Sequence, residues 1–225
     1  MRLRNIPASA EAIEKSPICI KNPERLKRQW RLSVSDNRPI QIEIGMGKGQ
    51  FITQLALGHP DRYYLGMECY SSVLYRALQK LEADPVENLS LLCYRAEDLE
   101  EMFAEGEIDK IYLNFSDPWP KDRHAKRRLE NKLFLKKYHS VLRDGGRIEF
   151  KTDNRGLFDY AVEELKDEPW KIIALSYDLH GDAELMKENM QRLNELLPKY
   201  SQIAKFELQE KEFEKTPKKS IKRFL

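Results

Sequence analysis

The chain has 225 residues, of which 34% are Asp, Glu, Lys or Arg and 41% are hydrophobic, with a formal net charge of +2. It holds no run of about eighteen apolar residues and begins without the apolar segment of a signal peptide, which argues against a membrane span or a secreted chain and sets the expectation of a cytoplasmic protein. The three cysteines lack Cys-x-x-Cys spacing and the four histidines stand singly, so neither a disulfide framework nor a metal centre is expected.

Residues 1–36 are punctuated by Pro7, Pro17 and Pro23 and carry Lys15, Lys21, Arg25, Lys27, Arg28 and Arg31. They read as a basic extension ahead of a single domain over residues 37–225. That domain opens with an apolar strand, 40–44, which delivers Glu43 and then Gly45, Gly47 and Gly49 into an amphipathic helix over 50–57. Glycines at alternate positions let backbone approach a ligand where side chains would block it. A dinucleotide fold wants Gly-x-Gly-x-x-Gly, whereas glycine falls here at 49 and position 50 is Gln50, which favours another nucleoside cofactor. The second strand, 63–68, ends on Glu68, an acid whose two oxygens suit a pair of ribose hydroxyls.

A helix over 71–83, a strand over 89–93 and a helix over 98–104 follow, and the strand 108–115 then runs into Asn114-Phe115-Ser116-Asp117-Pro118-Trp119-Pro120-Lys121. Two prolines around a tryptophan fix the backbone of this acid-bearing exit loop, at the end of a strand where open α/β sheets bind ligands. Trp119 either stacks on a base or pins its own loop. Beyond it lie Lys121, Arg123, Lys126, Arg127, Arg128, Lys132, Lys136 and Lys137, opposed only by Asp122 and Glu130. A third basic run, Lys215, Lys218, Lys219, Lys222 and Arg223, closes the chain, and three such segments favour a polyanion footprint over a merely solvated face. A helix over 131–142, a turn at Asp144-Gly145-Gly146, a strand over 147–151 and a helix over 154–165 come next. The pattern then loosens into a strand at 171–177, a helix at 184–197 and one or two strands between 203 and 224. Strands alternating with helices argue for an α/β fold, a mostly parallel sheet with helices on both faces.

The Glu-x-Gly-x-Gly-x-Gly turn, Glu68, the Asp-Pro-Trp-Pro-Lys loop, Arg123-His124-Ala125-Lys126-Arg127-Arg128, Lys151-Thr152-Asp153-Asn154 and Leu179-His180 resemble the bacterial tRNA (guanine-N7-)-methyltransferase family over residues 40 to about 180. The resemblance implies a Rossmann-like class I methyltransferase fold with a seven-stranded sheet. It also implies S-adenosyl-L-methionine as cofactor and transfer of its methyl group to N7 of guanine at position 46 in the tRNA variable loop. It assigns Glu43, Gly45, Gly47, Glu68, Ala96, Glu97, Asn114 and Asp117 to the cofactor, Asp117 to catalysis, and Lys121, Asp153, Glu212 and Glu214 to the substrate. No metal and no membrane are implied, and a monomer or a homodimer is expected. The alternative for Lys121 and for Asp153 is one half of a surface ion pair.

Guanine N7 has a free lone pair and no proton, so attack on a sulfonium methyl needs no base. Asp117 is therefore read as an orienting and charge-stabilising carboxylate rather than a general base. Two departures from the family pattern stand out. Arg95 occupies a position where the family usually has Asp, leaving Glu97, Asp98 or the backbone at Ala96 to face the adenine. Lys211-Glu212-Phe213-Glu214 carries lysine where the family has threonine. Three other readings compete. A nicotinamide-dependent oxidoreductase wants glycine at position 50. A non-catalytic tRNA-binding protein would not need the cofactor turn and the acid loop together, and a methyltransferase acting on another RNA would share both.

Overall fold

The computed structural model describes residues 6–166 and 168–177. The chain divides into two compact units, Met1–Lys171 and Ile172–Leu225. The helix expected at 184–197, the strands expected between 203 and 224, Leu179-His180, Glu212 and Glu214 lie outside the described residues.

In the first unit, helices α1 (Ser9–Lys15) and α2 (Trp30–Ser33) precede strand β1 (Ile40–Ile44). Then come α3 (Gln50–Gly58), β2 (Tyr63–Met67), α4 (Ser71–Ala83), β3 (Leu89–Leu92), α5 (Leu99–Met102), β4 (Ile108–Asn114), α6 (Lys132–Val141), β5 (Leu142–Lys151) and α7 (Arg155–Glu164). The described strands form one five-stranded sheet of order β3-β2-β1-β4-β5, parallel throughout. The order reverses at β1, and that is where an open parallel sheet leaves a crevice beyond its strand ends.

β1, β2 and β3 are buried along their whole lengths because helices cover both faces. Alternation splits the core in two. Ile40, Ile42, Ile44, Tyr63, Leu65 and Met67 pack with Leu99, Phe134, Leu135 and Tyr138 of α5 and α6, while Tyr64 and Leu91 pack with Ile52, Leu74 and Leu78 of α3 and α4. Glu43 and Gln41 sit out of phase with the isoleucines of β1, and Gln41 accepts a hydrogen bond from the Tyr112 hydroxyl at 2.7 Å.

Residues 6–36 pack onto this unit. Ile18 and Ile20 exchange backbone hydrogen bonds with Leu91 at 2.9 Å, adding a short bridge to the β3 edge. Trp30 is completely buried, donates from its indole to Met102 O at 2.9 Å, and packs on Phe103 with ring centroids 4.7 Å apart.

Three local expectations are corrected. Residues 171–177, read as a sixth strand, are not in a strand, and Ile172, Ile173, Leu175 and Tyr177 are exposed; a short apolar run does not by itself discriminate a strand. The helix expected over 98–104 is shorter, since Ala96–Asp98 forms a 3-10 turn and Phe103 returns to extended backbone. The Asp144-Gly145-Gly146 turn is an irregularity inside β5. Pairing steps from Ile108–Leu142 to Lys110–Arg147, so three extra residues of β5 are accommodated there, with Gly145 at φ +69°.

Candidate active site

Two adjoining cavities open beyond the carboxyl ends of the strands. The larger, about 750 Å3, includes Gly45, Glu68, Ala96, Glu97 and Asp117 in its wall. The smaller, about 530 Å3, is floored by Glu43 and Asn114 and flanked by Phe51 and Lys151. Gly45 and Phe115 line both.

The turn between β1 and α3 explains why glycine recurs there. Gly45, Gly47 and Gly49 have φ of +76°, +59° and +69°, a region that costs a side chain energy and glycine nothing. The amides of Gly45 and Met46 donate to Met67 O at 2.9 and 3.0 Å, binding the turn to the end of β2. Gly66 in β2 completes the seat, because a Cβ there would run into Met46 Sδ. Glu68 is buried and accepts from the amides of Gly47 at 3.1 Å and Tyr70 at 3.0 Å. Each oxygen retains a lone pair toward the larger cavity, which suits a diol.

Glu43 and Asn114 form the floor. Asn114 Nδ2 donates to Glu43 Oε1 at 2.9 Å, while Glu43 Oε2 and Asn114 Oδ1 are buried without a donor. Burial raises the Glu43 carboxyl to about 7, against the bond from Asn114. Two orphaned acceptors at the base of a cavity fit a ligand that brings N–H donors or positive charge.

In the larger cavity, Arg95 pairs with Glu97 at 3.0 Å. Burial works against ionisation of Glu97, but the hydrogen bond and charge of Arg95 prevail and hold its carboxyl below the ordinary value. Asp98 is spent locally, accepting from the Arg95 amide at 3.4 Å, and of the two acids only Glu97 lines the cavity. Arg95 thus stands beside the carboxylate and orients it.

The acid loop leaves β4 under strain. Phe115 and Trp119 hold φ of +53° and +40°, conformations that non-glycine residues adopt only when surroundings compel them. Asp117 is exposed and lines the mouth of the larger cavity. Trp119 has the Arg127 guanidinium 5.0 Å above its ring and His124 edge-on at 5.7 Å, so in this structure it pins its loop to the following 3-10 turn, Asp122–Arg127. Lys121, Arg123, Lys126 and Arg127 are exposed, and none makes an ion pair with a carboxylate among the described residues. Lys121 and Asp153 line neither cavity; Asp153 is exposed just ahead of Asn154, whose side chain caps α7 by accepting from Leu157 N at 2.9 Å.

The site has supports that motif reading passes over. Arg128 is buried and donates to Pro118 O and Trp119 O, each at 3.0 Å, and Ser116 Oγ donates to buried Glu130. In sequence Arg128 shows only as one cation of a basic run, Ser116 as a member of the acid loop and Glu130 as one of two acids opposing that run.

Comparison with known proteins now bears on these residues. The family described as "Putative methyltransferase" matches residues 37–210. A tRNA (guanine-N(7)-)-methyltransferase of Lachnoclostridium phytofermentans is 46% identical over 200 residues, 87% of this chain and 94% of the relative. The chain belongs to the tRNA (guanine-N(7)-)-methyltransferase family. The like-named protein of Geobacillus sp. (strain WCH70) is 49% identical over 80% of this chain and 83% of its own. Among solved structures, that of the aminoglycoside resistance methyltransferase NpmB1 aligns at 20% identity with a TM-score of 0.47, covering 77% of this chain and 80% of the other. No helix among the described residues is long and apolar enough to cross a membrane, and no group of three or more His, Cys, Asp or Glu among them has the arrangement of a metal site.

Proposed function

We propose that the protein transfers the methyl group of S-adenosyl-L-methionine to N7 of a guanine in tRNA, at position 46 of the variable loop. The observation that carries this reading is the placement of Asp117, held on a strained loop at the mouth of a cavity that also presents Gly45, Glu68, Ala96 and Glu97, in a chain 46% identical to a tRNA (guanine-N(7)-)-methyltransferase.

When bound, S-adenosyl-L-methionine supplies an electrophilic sulfonium methyl. Glu68 would hold the ribose hydroxyls through the lone pairs left by Gly47 and Tyr70, and the Gly45–Gly49 turn admits the ligand close to backbone. Glu97 and the backbone at Ala96 would face the adenine. The unpaired oxygens of Glu43 and Asn114 suit the amino-acid ammonium, which would return the Glu43 carboxyl to its charged form.

Guanine N7 attacks with a lone pair it already possesses, so no residue need remove a proton to create the nucleophile. The methylated ring is cationic, and the carboxylate of Asp117 stabilises charge that appears during the transfer while orienting the base. Lys121, Arg123, Lys126 and Arg127, without carboxylate partners among the described residues, would neutralise tRNA phosphates beside the loop, and Asp153 would meet amino or ribose donors. Incubation with unmodified tRNA and cofactor carrying labelled methyl tests the reading. Label released as N7-methylguanosine supports it; cofactor binding without any transfer to RNA refutes it.

A further inference from the structure

We propose that Arg128 is a positioning residue for Asp117, clamping the acid loop through two backbone carbonyls; the proposal rests on the methyltransferase reading above. Arg128 stands in the densest basic run of the chain, yet it is 9% exposed while Lys126 and Arg127 are exposed. Two of its five N–H donors are committed to the loop: Nε to Pro118 O and Nη2 to Trp119 O, both at 3.0 Å. These are the two residues that follow Asp117, and the second carries the φ of +40°. A planar guanidinium meets two adjacent carbonyls with a fixed fork, a task a lysine ammonium cannot reproduce.

The clamp has a back wall and a counterpart. The guanidinium lies 4.2 Å over the Tyr160 ring of α7, and Tyr160 also receives a hydrogen bond from Asn131. Two residues along from Arg128, Glu130 is 2% exposed and accepts from Ser116, the residue just before Asp117. Asp117 is thus held from both sides by one short segment, and the same segment leans on α7, whose first turn follows Asp153. A residue reserved for phosphate would stand exposed, as Lys121 and Lys126 do. Arg128 is buried and turns Nε and Nη2 onto the loop.

The test is a double-substitution cycle with Arg128→Lys and Asp117→Asn. Arg128→Lys is expected to lower kcat by about 10²-fold, the cost of a misplaced reacting group, while tRNA affinity and its salt dependence hold. In the Asp117→Asn background the same change should cost no more than about threefold, because the group it positions is already lost. Amide hydrogen exchange read by mass spectrometry should rise across residues 114–121 in Arg128→Lys and stay unchanged in the β1–β3 core. Ser116→Ala loosens the same aspartate from its other side, so a lowered kcat at unchanged tRNA affinity carries the test if Arg128→Lys does not fold. The proposal is overturned if Arg128→Lys weakens tRNA binding with a shallower salt slope, which would make Arg128 a phosphate ligand. It is also overturned if its cost is undiminished in Asp117→Asn, or if exchange over 114–121 does not change. A parent protein that binds the cofactor but methylates no tRNA would instead remove the reading beneath it.

Discussion

Replacing Glu43 by glutamine probes the electrostatics of the pocket floor. Glu43 is 3% exposed, accepts from Asn114 at 2.9 Å, and keeps its second oxygen without a donor. Burial raises its carboxyl from 4.5 to about 7. A folded-state value above the unfolded one means that the folded protein retains a proton the unfolded chain gives up. The associated stability is therefore fully present below pH 4.5 and is lost as pH rises through about 7. At about 1.4 kcal/mol per pH unit, that shift costs about 3 kcal/mol by pH 8.

Glutamine has the same reach and never titrates. Its carbonyl can keep the bond from Asn114 Nδ2, and its amide can donate to the orphaned Oδ1. The stability of Glu43→Gln relative to the parent should therefore grow by about 2 kcal/mol between pH 5.5 and pH 8. For a chain of this size that widens the Tm difference by about 4–8 °C. Thermal unfolding followed by circular dichroism, at matched ionic strength and without cofactor, measures it. A Tm difference that stays flat from pH 5.5 to pH 8 would refute the assignment of a neutral, desolvated Glu43.

Three further outcomes follow from the site. Asp117→Ala should lower kcat by about 10²-fold or more while cofactor affinity, read by calorimetry, barely moves; equal losses in both would make Asp117 part of the cofactor wall. Gly66→Ala should displace Met46 and with it the glycine turn, weakening cofactor binding and lowering Tm together; an unchanged cofactor Kd would show that Met46 swings aside freely. Neutralising Lys121, Arg123 and Lys126 with glutamine should weaken tRNA binding and reduce the slope of log K against log salt by about 0.7–0.9 for each phosphate left without its cation, and an unaltered slope would move the tRNA interface elsewhere.

The strands at the centre of the sheet were legible because a parallel sheet covered on both faces leaves apolar runs, as in Tyr63–Met67 and in Ile111, Tyr112 and Leu113, while β1 shows as three isoleucines alternating with Gln41 and Glu43. Strand β5, at the edge of the described sheet, was only half visible. After Leu142, the exposed Arg143, Asp144 and Gly145 look like a turn, although they continue the strand through an irregular pairing. Residues 171–177 misled in the opposite sense, since β-branched and aromatic side chains raise strand propensity without fixing a ladder.

At the site, the sequence exposed the residues whose type is itself the chemistry. Alternating glycines, a strand-end acid and a proline-bracketed aspartate are rare enough together to be noticed. The residues that hold them were hidden, because a buried arginine in a basic run is spelled the same as a solvated one. Arg128 differs from Arg127 only in where its guanidinium goes. Trp119, for which base stacking and loop pinning were equally open, is tied to Arg127 and His124, and that arrangement depends on a backbone conformation that sequence does not announce.

The central claim is that the chain supplies a positioned carboxylate to a nucleophile that needs no activation. A tRNA carrying 7-deazaguanosine at the single variable-loop position 46 tests it most directly, since that base keeps its shape and Watson–Crick edge but replaces the N7 lone pair with C–H. Methyl transfer should vanish while tRNA binding stays at the level of the guanosine form. Transfer that persists on the 7-deaza tRNA would contradict the account.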